Sequence, residues 1–409
     1  MTKHNVLLVP GFFGFGSLGE LLYFEGVKAL LERTFASAGL EVQVTEVETL
    51  PTSSIRVRAA RVHEALARLA RESTGPIHII GHSTGGLDAR LAIAPTASLP
   101  SNVAFTAYDR VHTLVTVCCS HFGSPVATFF SGAVGRRLLR IACRFLIWAL
   151  GRRRLLLAAL LRVGHWMLGL WRPFRNRSNT FDEIYAKVLN ELSEERRAEL
   201  VRFFRGVSSD EALVFQLTPA GCDLLNACTA EPKLRYGSVV ARAPSASWRG
   251  YSACFGDPYA QLIYPLYALV HRIAARHEAR WIPDAVGAQR ERLIEFWGEL
   301  PSASDNDGIV PTNSQIWGEI VHATHADHLD VIGHFGPGDS AAQAGDWLPS
   351  NSGFDTGSFE RLWGDVAGFI LAGTRRGSEP DAAGAERTEE DLPAESGAGL
   401  TRPPSRIWR

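Results

Sequence analysis

The feature that most constrains this chain is a tight turn that follows a short apolar run near residue 80. The run IHII at 77–80 has the length and β-branched content of a buried strand, and LDARLAI at 87–93 has helical character. Between them lies GHSTG, in which Gly81 and Gly85 flank Ser83. Small residues let a strand turn directly into a helix and lift the serine side chain clear of the sheet. The turn predicts an α/β fold in which Ser83 serves as a nucleophile.

Strands and helices alternate in the same way along much of the sequence. After PTSS, Val62, Leu66 and Leu69 recur at helical spacing, as expected for an amphipathic helix that covers a sheet. Further short apolar or β-branched runs stand at 5–9, 42–47, 111–117 and 234–243. This rhythm predicts a mainly parallel central sheet flanked by helices.

The composition of the 409 residues, of which 46% are hydrophobic, allows a sizeable core but changes twice along the chain. From 126 to 232 the sequence is helical and rich in arginine. From 375 to 409 it is polar, with too few apolar residues to offset the entropy of ordering. We expect an α/β core in two parts, 1–125 and 233–374, with an inserted helical cap at 126–232 and a disordered tail at 375–409.

Charge, cysteines and the first residues narrow the class of protein. The 42 lysines and arginines nearly balance the 43 acidic residues, so no nucleic-acid partner is expected. The cysteines form no CxxC pair, which argues against structural zinc, and we expect Cys222 and Cys228 to be reduced thiols. Because MTKHNVLLVPG enters a strand at once, it leaves no room for a secretory signal, and we expect a cytoplasmic protein.

A nucleophilic serine needs an imidazole to accept its proton and a carboxylate to orient that imidazole. After a turn of this type the partners follow in the order serine, acid, histidine. Asp305 and Asp307 precede Gly308 in the turn SDNDG. The candidate bases that follow are His322, His325, His328 and His334. The residues alone leave open which aspartate and which histidine take part.

Acyl transfer also needs N–H donors for the developing oxyanion. Thr84 follows Ser83 at a predicted helix N-terminus, and Phe12 lies in the glycine-rich stretch PGFFGFGSLG after the first strand. The backbone N–H groups of Phe12 and Thr84 are the candidates. By itself the glycine-rich stretch fits an ordinary βα turn equally well.

Several of these stretches together resemble the bacterial triacylglycerol lipases of the Pseudomonas and Burkholderia type. The resemblance covers roughly residues 5–130 and 300–335, through LLVPGFFGF, IIGHSTGGLDAR, LVTVCCSHFGSPVA, DNDGIVP and DHLD. It implies an α/β-hydrolase fold and hydrolysis of carboxylic esters, acylglycerol-type lipid esters in particular, through an acyl-enzyme. It also implies roles for individual residues: Ser83 as nucleophile, Asp307 as acid, His328 as base, and Phe12 and Thr84 as oxyanion donors.

The sequence departs from the family pattern at Pro10, and the resemblance also implies a bound calcium ion. Pro10 stands where the family usually has histidine, which leaves the Phe12 N–H in place. The family binds a structural calcium ion near the catalytic histidine. Here Asp330 fills the position two residues after His328, and Asp284 is the candidate for the second carboxylate ligand. No organic cofactor is expected.

The predicted cap carries a strong local positive charge. Residues 136–177 hold eleven arginines and no acidic residue, together with Trp148, Trp166 and Trp171. The apolar runs among them are shorter than the ~20 residues of a spanning helix, so no transmembrane segment is expected. The pattern suits peripheral contact with an anionic membrane or a lipid droplet. It suits equally a cap whose apolar face packs on the substrate cleft and whose arginines are solvated.

Other functions fit the same residues. Because nothing in the sequence identifies the acyl acceptor, an acyltransferase or an intracellular polyester depolymerase could use the same triad. A protein of a different class, a catalytically silent membrane-binding protein, could retain the fold.

Overall fold

The structure is a computed structural model, and it describes residues 3–12, 17–18, 21–50, 52–132, 135, 212–336 and 346–377. Most of the predicted cap and nearly all of the predicted tail lie outside these residues, as do the eleven arginines and the three tryptophans of the cap. The predictions made for them stay predictions.

A six-stranded sheet forms the centre of the described structure, and every pair of neighbouring strands in it is parallel. Its strands are β1 (His4–Val9), β4 (Val42–Glu46), β5 (Ile77–His82), β6 (Val111–Val117), β7 (Arg235–Arg242) and β8 (Glu319–His325). Their order in space is β4-β1-β5-β6-β7-β8. A separate antiparallel pair consists of β2 (Ser17–Leu18) and β3 (Leu21–Leu22). The strands predicted from the sequence are confirmed.

The helices before β7 are α1 (Val27–Ser37), α2 (Ile55–Glu72), α3 (Thr84–Ile93), α4 (Pro125–Ser131), α5 (Ala212–Gln216) and α6 (Pro219–Cys228). Those after β7 are α7 (Trp248–Ala253), α8 (Pro258–Ala274), α9 (Ala288–Trp297) and α10 (Thr356–Gly377). Short 3-10 turns occur at Tyr108–Arg110, Ala279–Trp281, Thr312–Gln315 and Asp330–Ile332. Within the described residues, no helix combines the length and the apolar character needed to cross a membrane.

The two faces of the sheet bury alternate residues of the same strands, because successive side chains of a strand point to opposite sides. On one face Val6 and Leu8 of β1 pack with residues of α1 and α10, among them Trp363. On the other face Leu7 and Val9 pack with α2 and α3. Covered on both faces, β1 and β5 are buried at every position.

Helix α2 illustrates how the sequence specifies an element. The side chain of Ser54 accepts a hydrogen bond from the Val57 N–H at the helix N-terminus. Val62, Leu66 and Leu69 are buried against the sheet, as their spacing predicts. The helix predicted after PTSS is therefore confirmed.

Candidate active site

Ser83 occupies the turn between the end of β5 and the start of α3. Its φ of 53° and ψ of −129° lie in a region that non-glycine residues rarely adopt. The Ser83 N–H donates to the Val117 carbonyl at the end of the neighbouring strand β6, at 2.8 Å. This strained turn from strand to helix, called the elbow below, has the geometry that the GHSTG pattern predicts for a nucleophile.

The glycines of the elbow are required by close backbone approach. A Cβ atom on Gly85 would lie 2.3 Å from the Val9 carbonyl oxygen, and one on Gly81 would lie 2.6 Å from the Gly85 carbonyl oxygen. No real side chain tolerates such distances, and the atoms that would have to move are backbone atoms. The elbow therefore packs directly on the end of β1, where the candidate oxyanion loop (residues 10–12) begins.

Asp307 lies in a turn beside the carboxyl end of β7, and its carboxylate is completely buried. One oxygen accepts from the backbone N–H groups of Ile309 and Val310, at 2.9 and 2.7 Å. The other accepts from Gln315 Nε2 at 3.1 Å and from His328 Nδ1 at 2.7 Å. These four donors hold the carboxylate in one orientation. Gly308, with φ of 93°, permits the turn.

His328 follows β8 and is fixed through both its ring and its backbone. Its N–H donates to the Asp307 carbonyl at 2.9 Å, and its ring lies 4.7 Å from that of His82, measured between centroids. Because Nδ1 faces the carboxylate, Nε2 is the nitrogen that can accept a proton. The described residues contain no hydrogen bond between the Ser83 hydroxyl and His328, and such bonds often tighten only when substrate is bound.

The other candidate acids and bases have different partners. Asp305 accepts from Ser302 and pairs with Arg242 at 3.2 Å. His322 Nδ1 lies 2.7 Å from a carboxylate oxygen of Asp365, which is a residue of α10. His325 is exposed, and His334 stacks on Trp347. The Nε2 atom of His334 lies 3.0 Å from the Tyr23 carbonyl oxygen. Among the candidates, the structure pairs Asp307 with His328.

A buried arginine links the two residues that precede Phe12 to Thr84. Arg58 Nη2 donates to the carbonyls of Pro10 and Gly11, at 3.0 and 2.8 Å, and contacts the Thr84 hydroxyl at 3.3 Å. Asp88 binds the same guanidinium at 2.8 Å, and both side chains are fully buried. Burial raises the pKa of Asp88 to about 6, and the charge of Arg58 and its hydrogen bond to Asp88 oppose that shift.

The sequence did not predict several residues that surround the candidate site. Gln315 and Cys118 adjoin the Asp307 carboxylate. Burial, together with the charge of Asp307, raises the pKa of the Cys118 thiol. Cys118 has a φ of 49° at the end of β6, where an apolar sequence gives no sign of a turn. Arg58 is the exception, because a charged residue on the face of α2 that should be buried indicates in the sequence that it has a buried partner.

The predicted calcium ligands do not come together. Asp330 is buried, and its carboxylate lies with those of Asp327 and Asp346, whose ligand oxygens are all within 4.8 Å of one another. Asp284 is exposed in the loop before α9 and does not belong to this group. The structure therefore places Asp284 apart from the group that contains Asp330, because a loop aspartate without a surrounding motif carries no information about its tertiary position. Its role as a calcium ligand stays a prediction.

The Asp327–Asp330 pair concentrates negative charge beside the candidate base. Burial raises the pKa of Asp327 to about 6. Burial also raises the pKa of Asp330 well above its ordinary value, and the charges of Asp327 and Asp346 add to that shift. All the potential ligand atoms are carboxylate oxygens, which suit a hard divalent cation such as Ca²⁺.

Comparison with known proteins gives partial matches, and no known family profile matches the sequence. A triacylglycerol lipase of Vibrio cholerae is 30% identical over 133 residues, which are 32% of this chain and 38% of the relative. A triacylglycerol lipase of Pseudomonas fragi is 34% identical over 100 residues, 23% of this chain and 31% of the relative. The chain thus spans about a third of the length of the curated relatives it matches.

Among solved structures, the Staphylococcus hyicus lipase aligns with a TM-score of 0.49 and 15% identity over 92% of this chain and 97% of that chain. A metagenomic carboxyl esterase aligns with a TM-score of 0.47 and 19% identity over 90% and 76% of the two chains. The parallel sheet with its elbow after β5 is an α/β-hydrolase fold, and over 32% of its length the chain is similar to a bacterial triacylglycerol lipase, as its motifs predict.

Proposed function

We propose that this protein is a serine hydrolase that cleaves carboxylic esters of lipids, with Ser83 as nucleophile, His328 as base and Asp307 as orienting acid. The observation that supports this most directly is the 2.7 Å contact between His328 Nδ1 and the buried Asp307 carboxylate, next to the strained elbow of Ser83. A histidine held in this way keeps Nε2 ready to accept a proton.

In the proposed reaction, the Ser83 oxygen attacks the ester carbonyl carbon while its proton passes to His328 Nε2. The tetrahedral intermediate collapses as the bond from carbon to the leaving alcohol breaks, and His328 returns the proton to that alcohol. Water then attacks the acyl-enzyme with His328 again as base, which releases the carboxylic acid and restores Ser83.

The negative oxygen of each tetrahedral intermediate would be held by the backbone N–H groups of Phe12 and Thr84. Thr84 is the first residue of α3, where N–H groups have no acceptor within the helix and the helix dipole favours negative charge. Each such donor is worth roughly 2.7–4 kcal/mol of transition-state stabilisation in serine hydrolases.

The substrate class proposed is the acylglycerol type, since both relatives that match the chain are named triacylglycerol lipases. Peripheral contact of the arginine-rich cap with an anionic membrane or lipid droplet is a compatible proposal. It concerns residues outside those that the structure describes.

A structural calcium ion is a second proposal, in which Asp327, Asp330 and Asp346 supply carboxylate ligands. The donor set fits, because three clustered carboxyl groups, two of them buried, offer oxygen ligands of the kind that Ca²⁺ prefers. The ion would neutralise the group and brace the loop that carries His328. It would take no part in the proton transfers.

The decisive experiment is labelling with a fluorophosphonate probe, together with hydrolysis of a short soluble p-nitrophenyl ester. Ser83→Ala should abolish labelling and lower kcat/KM at least about 10⁴-fold, because no attacking hydroxyl remains. His328→Ala and Asp307→Asn should also be severe. The matched controls His322→Ala and Asp305→Asn should retain most of the activity.

Two outcomes would overturn the assignment. If the wild-type protein takes up no probe, the chain is a silent scaffold and not an enzyme. If Asp305→Asn is as damaging as Asp307→Asn while its thermal midpoint is unchanged, the acid has been wrongly chosen. Release of free fatty acid from an acylglycerol, compared with transfer to an added alcohol, distinguishes hydrolysis from acyl transfer.

A further inference from the structure

Tyr23 and His82 form a buried hydrogen-bonded chain through the centre of the site. The Gly11 N–H donates to the Tyr23 hydroxyl oxygen at 2.8 Å, and that hydroxyl lies 2.8 Å from His82 Nδ1. On the other side of the ring, His82 Nε2 lies 2.9 Å from the His328 carbonyl oxygen. The chain therefore connects the loop before Phe12, the residue before Ser83 and the residue proposed as base.

The direction of each hydrogen bond follows from the chemistry of its partners. A carbonyl oxygen only accepts hydrogen bonds, so His82 Nε2 carries a proton and donates it in the hydrogen bond to the His328 carbonyl. Burial lowers the pKa of His82 well below its ordinary value, which keeps the ring neutral and leaves Nδ1 as an acceptor. Tyr23 must then donate its hydroxyl proton to Nδ1, and its oxygen is left to accept from Gly11. Burial raises the pKa of Tyr23, so the phenol keeps its proton.

Gly11 is the point where this chain acts on the nucleophile and on the oxyanion loop. A Cβ atom on Gly11 would lie 2.6 Å from Ser83 Cβ, so the peptide packs directly on the nucleophile. The Gly11 N–H is held by Tyr23, and the Gly11 carbonyl is held by Arg58 at 2.8 Å. That carbonyl shares a planar trans peptide with the Phe12 N–H, which must point the opposite way. Fixing Gly11 on both sides therefore fixes the direction of the proposed oxyanion donor.

We propose that Tyr23 is a positioning residue for catalysis, which acts through His82 and Gly11 to keep the oxyanion loop, the elbow and the His328 loop aligned. This inference rests on the proposed function. Tyr23 touches no reacting atom in this proposal. Its hydroxyl contacts Gly11 and His82 directly, and the His82 ring extends the connection to His328. These three segments are far apart in sequence, and each carries one element of the proposed catalytic site.

The test is Tyr23→Phe, which removes only the hydroxyl and leaves the ring that packs against Phe24. We expect kcat for a short soluble ester to fall roughly tenfold to a hundredfold, as small misplacements of catalytic groups do. KM should change less than about threefold, because the hydroxyl does not contact substrate. The rate of fluorophosphonate labelling should fall in parallel. Rates are referred to the number of active sites found by complete labelling.

Tyr264→Phe is the matched control. Tyr264 is buried, and its hydroxyl also accepts one N–H and donates to one acceptor, here the N–H and carbonyl of Ser247. Removal of this hydroxyl should cost similar stability and leave kcat per active site unchanged. The second variant, His82→Gln, keeps a donor that can reach the His328 carbonyl and disturbs the acceptor for Tyr23. Combining it with Tyr23→Phe should add little further loss, because both changes break one chain.

The outcomes separate this inference from the proposed function. If the wild-type protein hydrolyses esters and Ser83→Ala does not, but Tyr23→Phe retains wild-type kcat, the positioning role is wrong and the function stands. If Tyr23→Phe and Tyr264→Phe lower the thermal midpoint and kcat equally, the hydroxyl is merely structural and the inference is overturned. If wild-type protein shows neither labelling nor hydrolysis, the proposed function itself fails.

Discussion

At the scale of single residues, negative charge gathers on the loop that carries His328. Asp327 receives hydrogen bonds from the N–H groups of Leu329 and Asp330 and from the Ser350 hydroxyl. Asp330 receives one from the Ser352 hydroxyl at 2.6 Å. These neutral donors stabilise each carboxylate without cancelling the repulsion between them. A bound cation would supply the missing charge.

The calcium proposal predicts a change in thermal stability on addition and removal of the ion. Calcium should raise the thermal midpoint of the wild-type protein, and a chelator should reverse the rise. At a calcium concentration a hundred times the dissociation constant, the free energy of unfolding should increase by about 2.7 kcal/mol. Asp330→Asn should lose the response, and the exposed Asp284→Asn should keep it. Calorimetry with and without calcium measures both. An Asp284→Asn variant that loses the response, or a wild-type midpoint indifferent to calcium, contradicts the proposal.

At the scale of elements, the site depends on how closely α3 approaches the end of β1. Gly85 allows the first turn of α3 to lie against the Val9 and Pro10 carbonyls, where a Cβ atom would be 2.3 and 2.8 Å away. The elbow and the oxyanion loop are thus set by backbone contact. Gly368 in α10 differs, because a Cβ atom there would meet nothing within 4 Å.

Alanine substitution should therefore have opposite effects at these two helical glycines. Gly85→Ala should destabilise the protein by at least about 1–3 kcal/mol and impair ester hydrolysis, since backbone must move to relieve the overlap. Gly368→Ala should stabilise it by about 0.5–1 kcal/mol, because alanine favours the helix. Denaturant unfolding measures both changes. Tolerance of Gly85→Ala without loss of activity would mean that the elbow does not need this close approach.

At the scale of the whole molecule, buried histidines make the fold sensitive to acid. His78 in the middle of the sheet lies between His4 Nδ1 at 3.2 Å and the Thr113 hydroxyl at 2.9 Å. Burial lowers its pKa from 6.5 to about 3, with the charges of His4 and His112 adding to the effect. Between these two values the unfolded chain binds a proton that the folded chain does not. Stability is therefore fully present above pH 6.5 and falls as the pH is lowered.

The prediction is that His78→Asn weakens the dependence of stability on pH. Each such histidine lowers the free energy of unfolding by up to about 1.4 kcal/mol per pH unit below the pKa that it has in the unfolded chain. Between pH 7 and 5 the free energy of unfolding should therefore fall by roughly 2 kcal/mol less in the variant than in wild type. Asp88 opposes this trend, because burial raises its pKa to about 6. Thr113→Val, which removes a non-titrating partner, should lower stability equally at both pH values. Urea unfolding at pH 7 and at pH 5 measures the change in stability for each protein. If stability changes with pH equally in wild type and in His78→Asn, the prediction is wrong.

The sequence by itself determined the features that depend on local pattern. The apolar runs specified every strand of the parallel sheet except β8, which no run predicted. The spacing of Val62, Leu66 and Leu69 specified α2, and GHSTG specified the elbow. Each of these rests on periodicity or on the conformational freedom of glycine, which neighbouring residues decide. The resemblance to lipases then selected Asp307 and His328 from several candidates that local pattern could not distinguish.

Only the tertiary structure decided which distant residues meet. It placed Asp327 and Asp346 beside Asp330 and left Asp284 exposed. It also joined Gly11, Tyr23, His82 and His328 in one chain of hydrogen bonds. Such contacts depend on how strands and loops far apart in sequence converge at one edge of the sheet. The residues next to a single tyrosine or aspartate in the sequence do not indicate which distant residues it will contact, so its partners are known only from the folded structure.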